Sequence, residues 1–393
     1  MLGSGLALLS GGVRAAVPGL NSALPAGTRD VAQLAKLPGK KDLIKLSWRP
    51  PNYEAPLEAF RTPITPNESF FVRYHLAGIP EMDALRDWSL KIDGDAAGGA
   101  VQLTMSDLRA LPAVELVAVC QCSGNRRGLF SPHVPGVEWG AGAMGNARWR
   151  GARMRDVLAK ANVQPSAIEL WMSGADGPLL PVTPKFAKSI PIDHALDENT
   201  IIAYEMNGAP LPHLNGFPAR VLVPGWTGTY WVKHINSLQL SSKPLGNFWM
   251  QKAYRVPRGM FPVEKPFTTQ DNEQTSPITE IVVNSLVTNL IDGARVSAGG
   301  LTVQGIAWDG GHGIRTVELS TDAGATWQAA QLGHDDGRFA FRPWSMALHA
   351  KPGPVSVMVR ATSNAGAAQP AKLSFNPAGY NDNVMQSLTL NAA

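Results

Sequence analysis

Cys120-Gln121-Cys122-Ser123-Gly124-Asn125-Arg126-Arg127 is the stretch on which the reading of this chain turns. It sets a thiol ahead of a polar turn and two adjacent fixed cations. Positive charge beside a cysteine favours the thiolate, and the thiolate is the form that binds a soft metal. Alone, Cys122 would read as a small buried hydrophobe, since free cysteine suits cores. Its neighbours change that reading, because Ser-Gly-Asn-Arg-Arg is polar, turn-forming and cationic, as the lining of an anion pocket would be. Cys120 precedes the polar run and is expected in the core.

These are the only two cysteines in the chain. In a strand they would point to the same face, but a disulfide between residues two apart would be badly strained, so no bridge is expected. The count also excludes a disulfide scaffold, a four-cysteine zinc site and a four-cysteine iron–sulfur cluster. The eight histidines are scattered, with no pair at helical ligand spacing, which argues against a zinc hydrolase.

At 393 residues the chain exceeds what one hydrophobic core usually serves, so two units are expected. Its 44% hydrophobic and 17% charged residues describe a globular protein, and no stretch is long and apolar enough to span a bilayer. The net charge of +4 favours anionic substrates or acidic partners and is too small to argue for nucleic acid. Residues 1–35 are small, weakly apolar and nearly uncharged, with Leu6-Ala7-Leu8-Leu9 followed by Ala23-Leu24-Pro25-Ala26. Two readings fit: an export signal without its basic start, which would make the protein periplasmic, or a disordered tail. No twin-arginine pair precedes the apolar stretch.

From residue 37 to 266 short apolar runs such as Trp88-Ser89-Leu90-Lys91-Ile92 and Arg220-Val221-Leu222-Val223 predict strands, with helices expected over 106–111 and 153–160. After Phe267 the texture changes to clean alternation: Leu301-Thr302-Val303-Gln304-Gly305-Ile306-Ala307-Trp308, Thr316-Val317-Glu318-Leu319-Ser320 and Val355-Ser356-Val357-Met358-Val359-Arg360. Turn-formers such as Asp309-Gly310-Gly311 separate these runs at intervals that suit a β-sandwich. The expected class is α+β, with an irregular unit over 36–268 followed by a sandwich over 269–393.

Two further segments complete the pattern around Cys122. Upstream, Phe70-Phe71-Val72-Arg73-Tyr74-His75-Leu76 carries Arg73 and His75 two residues apart, so that in a strand both would face the same way. Downstream, Gly216-Phe217-Pro218-Ala219-Arg220 leads through Gly225-Trp226-Thr227-Gly228 to Val232-Lys233. With Cys122-Ser123-Gly124-Asn125-Arg126-Arg127 they resemble the molybdenum-binding core of the sulfite oxidase family, and the resemblance covers about residues 48–360.

That resemblance implies a mixed α+β molybdopterin domain followed by an immunoglobulin-like dimerisation module. Its cofactor would be molybdenum held by Cys122 and by the dithiolene of molybdopterin, soft donors that suit a metal cycling between Mo(VI) and Mo(IV). By the same resemblance Arg73 and Arg127 would bind the sulfite dianion, Trp139 would line the pocket, Tyr254 would donate toward the reacting oxygen, and His75 would orient Arg73 or Tyr254. Tyr74, His75, Asp176, Asn215, Arg220, Trp231, Val232 and Lys233 would hold the cofactor, with Arg220 and Lys233 neutralising its phosphate. The animal enzymes have a histidine where this chain has Asn215.

The expected reaction is oxidation of sulfite to sulfate. With no haem or flavin segment, the electrons would leave to a c-type cytochrome, either a separate protein or a dedicated haem subunit, and a homodimer would form through the C-terminal unit. Within the family the motifs look closest to the bacterial periplasmic sulfite dehydrogenases. The alternatives are a sulfane dehydrogenase subunit acting on protein-bound sulfur, whose motif usually lacks the second arginine, and a catalytically silent module that binds a cofactor or partner.

Overall fold

The computed structural model describes residues 34–35, 37, 39–41 and 43–393. The segment read as export signal or tail lies outside them, apart from the two-residue strand Leu34–Ala35.

The first part of the chain is built from three sheets of short strands. Leu34–Ala35, Leu43–Ser47, Asn52–Glu54 and Val72–Arg73 form the first. The second runs in the order Ala187–Pro191, Glu169–Gly174, Ile235–Ser241, Ser89–Asp93, Val101–Thr104, with one parallel pair at Ser237 against Lys91. The third joins Ala209–Pro210, Ile201–Met206, Met144–Arg153 and Ala113–Gln121, and Arg220–Leu222 pairs with the second of these. Cys122 therefore follows directly on the end of a nine-residue strand.

Helices are brief. Met105–Ala110 forms where expected because Thr104 and Asp107 make a capping box: the Thr104 hydroxyl accepts from the Asp107 N–H while the Asp107 carboxylate accepts from the Thr104 N–H. The helix expected over 153–160 is Met154–Leu158, tightening into a 3-10 turn that ends at the left-handed Asn162. One large apolar core, holding Phe70, Trp139, Trp149, Ile202 and Trp231, fills the space between the sheets.

The second part is the anticipated sandwich, an immunoglobulin-like arrangement of two sheets. One has the order Asn284–Val287, Gly299–Trp308, Arg342–Ala350, Gln331–Leu332; the other Arg295–Val296, Gln386–Ala392, Gly353–Ser363, Ile314–Ser320, Gln328–Ala329. Alternate residues of the long strands, Val303, Val317, Leu319, Val357, Val359 and Leu390, meet between the sheets in their own core.

A third apolar cluster joins the two parts. Phe60, Val119 and Met144 from the first meet Ile281, Ile306, Trp308 and Phe341 from the second. Two polar contacts cross the same seam: the Trp308 indole donates to Gln121 Oε1 at 2.6 Å, and the Val119 N–H donates to the Phe339 carbonyl at 2.9 Å. The strand that delivers Cys122 is thus held from the sandwich side as well as within its own sheet.

Candidate active site

The segment after the strand Ala113–Gln121 is folded by its own polar residues. The Cys122 N–H donates to the Ala143 carbonyl at 2.9 Å, and Asn125 Oδ1 accepts from the Ala143 N–H at 2.9 Å. Arg126 then adopts a left-handed conformation, φ +69°, before the turn Arg127–Leu129. That reversal sends Arg126 and Arg127 away from the cavity next to Cys122.

The cavity is walled by segments from four parts of the sequence. Phe70, Phe71, Arg73, Tyr74 and His75 come from the first sheet and its exit. Cys120, Cys122 and Ser123 come from the strand end. Asp176 and Phe186 flank one loop, and Asn215, Arg220, Gly228, Thr229, Trp231, Val232, Lys233 and Tyr254 come from the remaining strands and turns. Eleven of the residues expected from the sequence meet there: Cys122, Arg73, Tyr74, His75, Asp176, Asn215, Arg220, Trp231, Val232, Lys233 and Tyr254.

Two do not. Trp139 is fully buried in the core, off the cavity wall, and its indole N–H has no partner among the described residues. Arg127 turns toward the sandwich, where its Nε donates to the Ala378 carbonyl at 2.9 Å and its guanidinium lies 5.2 Å above the Tyr380 ring. Cys120 combines both readings, buried in the core yet on the cavity wall, with Arg220 Nη2 3.8 Å from its sulfur; burial pushes its thiol up. The cation that shares the cavity wall with Cys122 at this end is Arg73.

Around Cys122 the polar groups form one chain. Arg73 Nη2 lies 3.4 Å from the Tyr254 hydroxyl, and His75 Nε2 hydrogen-bonds the same hydroxyl. The strand Val72–Arg73 stops before His75, so the common direction of the two side chains rests on this shared partner instead of strand alternation. His75 is stacked on Phe186, with ring centroids 3.9 Å apart. Burial, with Arg73, Lys233 and Lys188 nearby, pushes the imidazole well below its ordinary range and keeps it neutral.

The deeper wall is a set of anchored cations. Arg220 donates to the carbonyls of Asn215 at 3.0 Å and Trp231 at 3.1 Å. Lys233 donates to the Arg73 carbonyl at 2.7 Å, and its ammonium sits over the Tyr74 ring. Tyr74 in turn shares a hydrogen bond of 2.7 Å with His234, whose Nδ1 donates to the Phe217 carbonyl. Asn215 is fixed from both ends, its amide donating to the Phe71 carbonyl and its oxygen accepting from the buried Lys40. His213 bonds the Pro80 carbonyl and stays off the wall, so Asn215 alone occupies that place. Gly216, at φ +113°, lets the chain turn against the Lys233 and Arg220 side chains, which a Cβ there would meet at 3.0–3.2 Å.

This wall suits an anionic, hydrogen-bonding ligand. Among the described residues it gathers three cationic side chains, Arg73, Arg220 and Lys233, against one carboxylate, Asp176. Burial pushes Lys233 well below its ordinary range and Arg220 below its own, as desolvated cations short of counter-charge should be. Arg220 Nε, Ser123 Oγ and Thr229 Oγ1 are buried with no hydrogen-bond partner among the described residues. Buried polar atoms are seldom left so, and a phosphate-bearing pterin would satisfy them. The thiol of Cys122 would supply the soft donor that a molybdenum centre needs.

The Oxidoreductase molybdopterin binding domain family matches residues 75–249, and the Mo-co oxidoreductase dimerisation domain family matches residues 275–392. Sulfite oxidase of Arabidopsis thaliana is 31% identical over 329 residues, covering 79% of this chain and 81% of that protein. The chain belongs to the sulfite oxidase family. Human mitochondrial sulfite oxidase is 36% identical over 312 residues, which is 76% of this chain and 56% of the human protein. The chain thus spans little more than half the length of the mitochondrial relatives it matches. Among solved structures, the sulfane dehydrogenase SoxCD from Paracoccus pantotrophus shares the fold of this family member, with a TM-score of 0.76 at 22% identity over 100% of this chain and 96% of that one.

Several wall residues were not singled out from sequence. Phe186 and Thr229 carry no motif of their own. Lys188, fully buried, lies 5.1 Å over the Tyr254 ring and donates to the Trp249 carbonyl at 2.9 Å. Nothing in Ala187-Lys188-Ser189 distinguishes it from a solvated strand lysine.

Proposed function

We propose that the protein oxidises sulfite to sulfate at a molybdenum–molybdopterin centre held by Cys122, with two electrons leaving singly to a c-type cytochrome. The observation that carries this reading is the convergence of Cys122, Arg73, His75 and Tyr254 at one end of the cationic cavity. In the net reaction sulfite and water yield sulfate, two protons and two electrons, and two ferricytochromes take the electrons. When bound, the metal centre would supply the two-electron acceptor.

The chain's own residues would do the rest. Arg73 would bind the anion by charge-assisted hydrogen bonds. The Tyr254 hydroxyl would donate to an oxygen of the bound anion, while neutral His75 fixes where that hydroxyl lies. Arg220, Lys233, Asn215 and the backbone near Gly228 would hold the pterin and its phosphate.

The catalytic unit would occupy 36–268 and the dimerisation unit 269–393, and the protein would work in the periplasm as a dimer. Electron exit is supported by the loop between Asp176 and Phe186, whose ends both lie on the cavity wall. Its Leu179, Leu180 and Val182 are exposed, which gives a haem protein an apolar edge to meet. The test is sulfite-dependent reduction of cytochrome c by protein of measured molybdenum content. Turnover proportional to molybdenum is expected. Turnover on protein-bound sulfane sulfur and none on sulfite would move the assignment to the sulfane dehydrogenase branch. Molybdenum-loaded protein inactive on both would leave the silent module.

A further inference from the structure

We propose that Tyr380, carried by the sandwich, is a positioning residue for Tyr254. The inference rests on the role given to Tyr254 above. Tyr254 is held in a left-handed conformation, φ +58°, which residues with a side chain seldom adopt unless their surroundings enforce it. Its carbonyl accepts from the Ile278 N–H at 2.9 Å, and its own N–H faces the Tyr380 hydroxyl. Its ring also lies against that of Tyr380, with centroids 5.5 Å apart and planes inclined by 21°.

Tyr380 is itself clamped. Asn376 accepts from the Tyr380 N–H and donates to its carbonyl, both at 2.9 Å. On one side Arg127 lies over the ring and donates to the Ala378 carbonyl. On the other, the Asn381 N–H donates to the Ser123 carbonyl at 3.0 Å, one residue from Cys122. Gly379, at φ +62°, leaves the room that Arg127 needs, since a Cβ there would sit 2.6 Å from Arg127 Cγ. The second arginine of the motif therefore reaches Tyr254 through Tyr380. Without the ring and hydroxyl of Tyr380, the backbone at 254 relaxes toward ordinary geometry and carries its hydroxyl away from Arg73 and His75.

The test compares Tyr380→Phe, which keeps the ring and removes the hydroxyl that faces the Tyr254 N–H, with Tyr380→Leu, which removes both. Amide hydrogen exchange resolved at Tyr254, on the full chain with and without its metal, should accelerate at least about tenfold in both variants. In molybdenum-matched protein kcat/KM for sulfite should fall about threefold in Tyr380→Phe and at least about tenfold in Tyr380→Leu, the graded loss expected of a misplaced hydroxyl. Unchanged exchange at Tyr254 in both variants, or wild-type kcat/KM in Tyr380→Leu, overturns the proposal. A wild-type protein inactive on sulfite would sink the proposed substrate instead, and the exchange arm would still decide the role of Tyr380.

Discussion

Cys122 and Ser123 face the cavity, whereas Arg126 and Arg127, a few residues on in the same loop, face the sandwich. The first pair lies beside Arg73 on the cationic cavity wall. In the second, Arg126 donates to Asn284 Oδ1 and the Val384 carbonyl, each at 2.9 Å, and lies 3.9 Å from Asp382, while Arg127 grips Ala378 and Tyr380. One left-handed residue divides them. A motif that looks like a single electrostatic device is thus two: a thiol and a hydroxyl on the cavity wall, and a double clasp that fastens the second unit beside it. The cation serving the thiol comes from elsewhere, on the strand Val72–Arg73.

The division can be broken most severely at Cys122. Cys122→Ser should abolish sulfite oxidation with the fold retained, because a neutral hydroxyl cannot replace a soft anionic donor. Cys120→Ser, two residues back on the same wall, should keep substantial turnover. Steady-state assays beside circular dichroism would show it, and equal loss in both variants would contradict the assignment of the ligand.

Next in size is Arg73. Arg73→Met should raise the KM for sulfite by about ten- to a hundredfold, the worth of a charge-assisted contact of roughly 1.5–3 kcal/mol. The clasp should behave in the opposite way. Arg126→Met should cost about 1.5–3 kcal/mol of stability in urea unfolding while leaving kcat/KM within about twofold, since two charge-assisted bonds across the seam are lost and none in the cavity. A large rise in KM for Arg126→Met would put that arginine back with the substrate.

The smallest effect concerns Glu54, which lies behind this loop against Gly140 and Gly142. Burial raises its carboxyl from 4.5 to about 8 in the folded protein. The folded state therefore keeps a proton that the unfolded chain has released. The stability this gives is full below pH 4.5 and is lost as pH rises toward 8. The slope is at most about 1.4 kcal/mol per pH unit. Glu54→Gln should flatten that stretch of the curve in urea titrations at several pH values; an unchanged slope would assign it to other groups.

Much of this was legible in the sequence because the cavity is lined by contiguous motifs. Phe70 to His75 and Arg220 to Lys233 each bring several wall residues on one short segment, and alternation alone marked the sandwich strands. What failed was direction. Residue type at Arg127 and Trp139 matched the family's pattern, but the fold, through the reversal at Arg126 and the burial of the indole, decides what those side chains touch. Lys188 and Tyr380 were hidden for another reason: their partners lie dozens of residues away in sequence, and neither carries a local signal.

The grip of residues 376–381 on the loop bearing Cys122 sets an order of events in biosynthesis. The strand ending at Gln121 leaves the ribosome long before Tyr380 and Asn381, and units synthesised early can fold early. Yet Ser123, Arg127 and Tyr254 find these partners only after residue 381 has been made. A pterin delivered to a nascent chain would meet a wall without its brace, which only the finished polypeptide supplies.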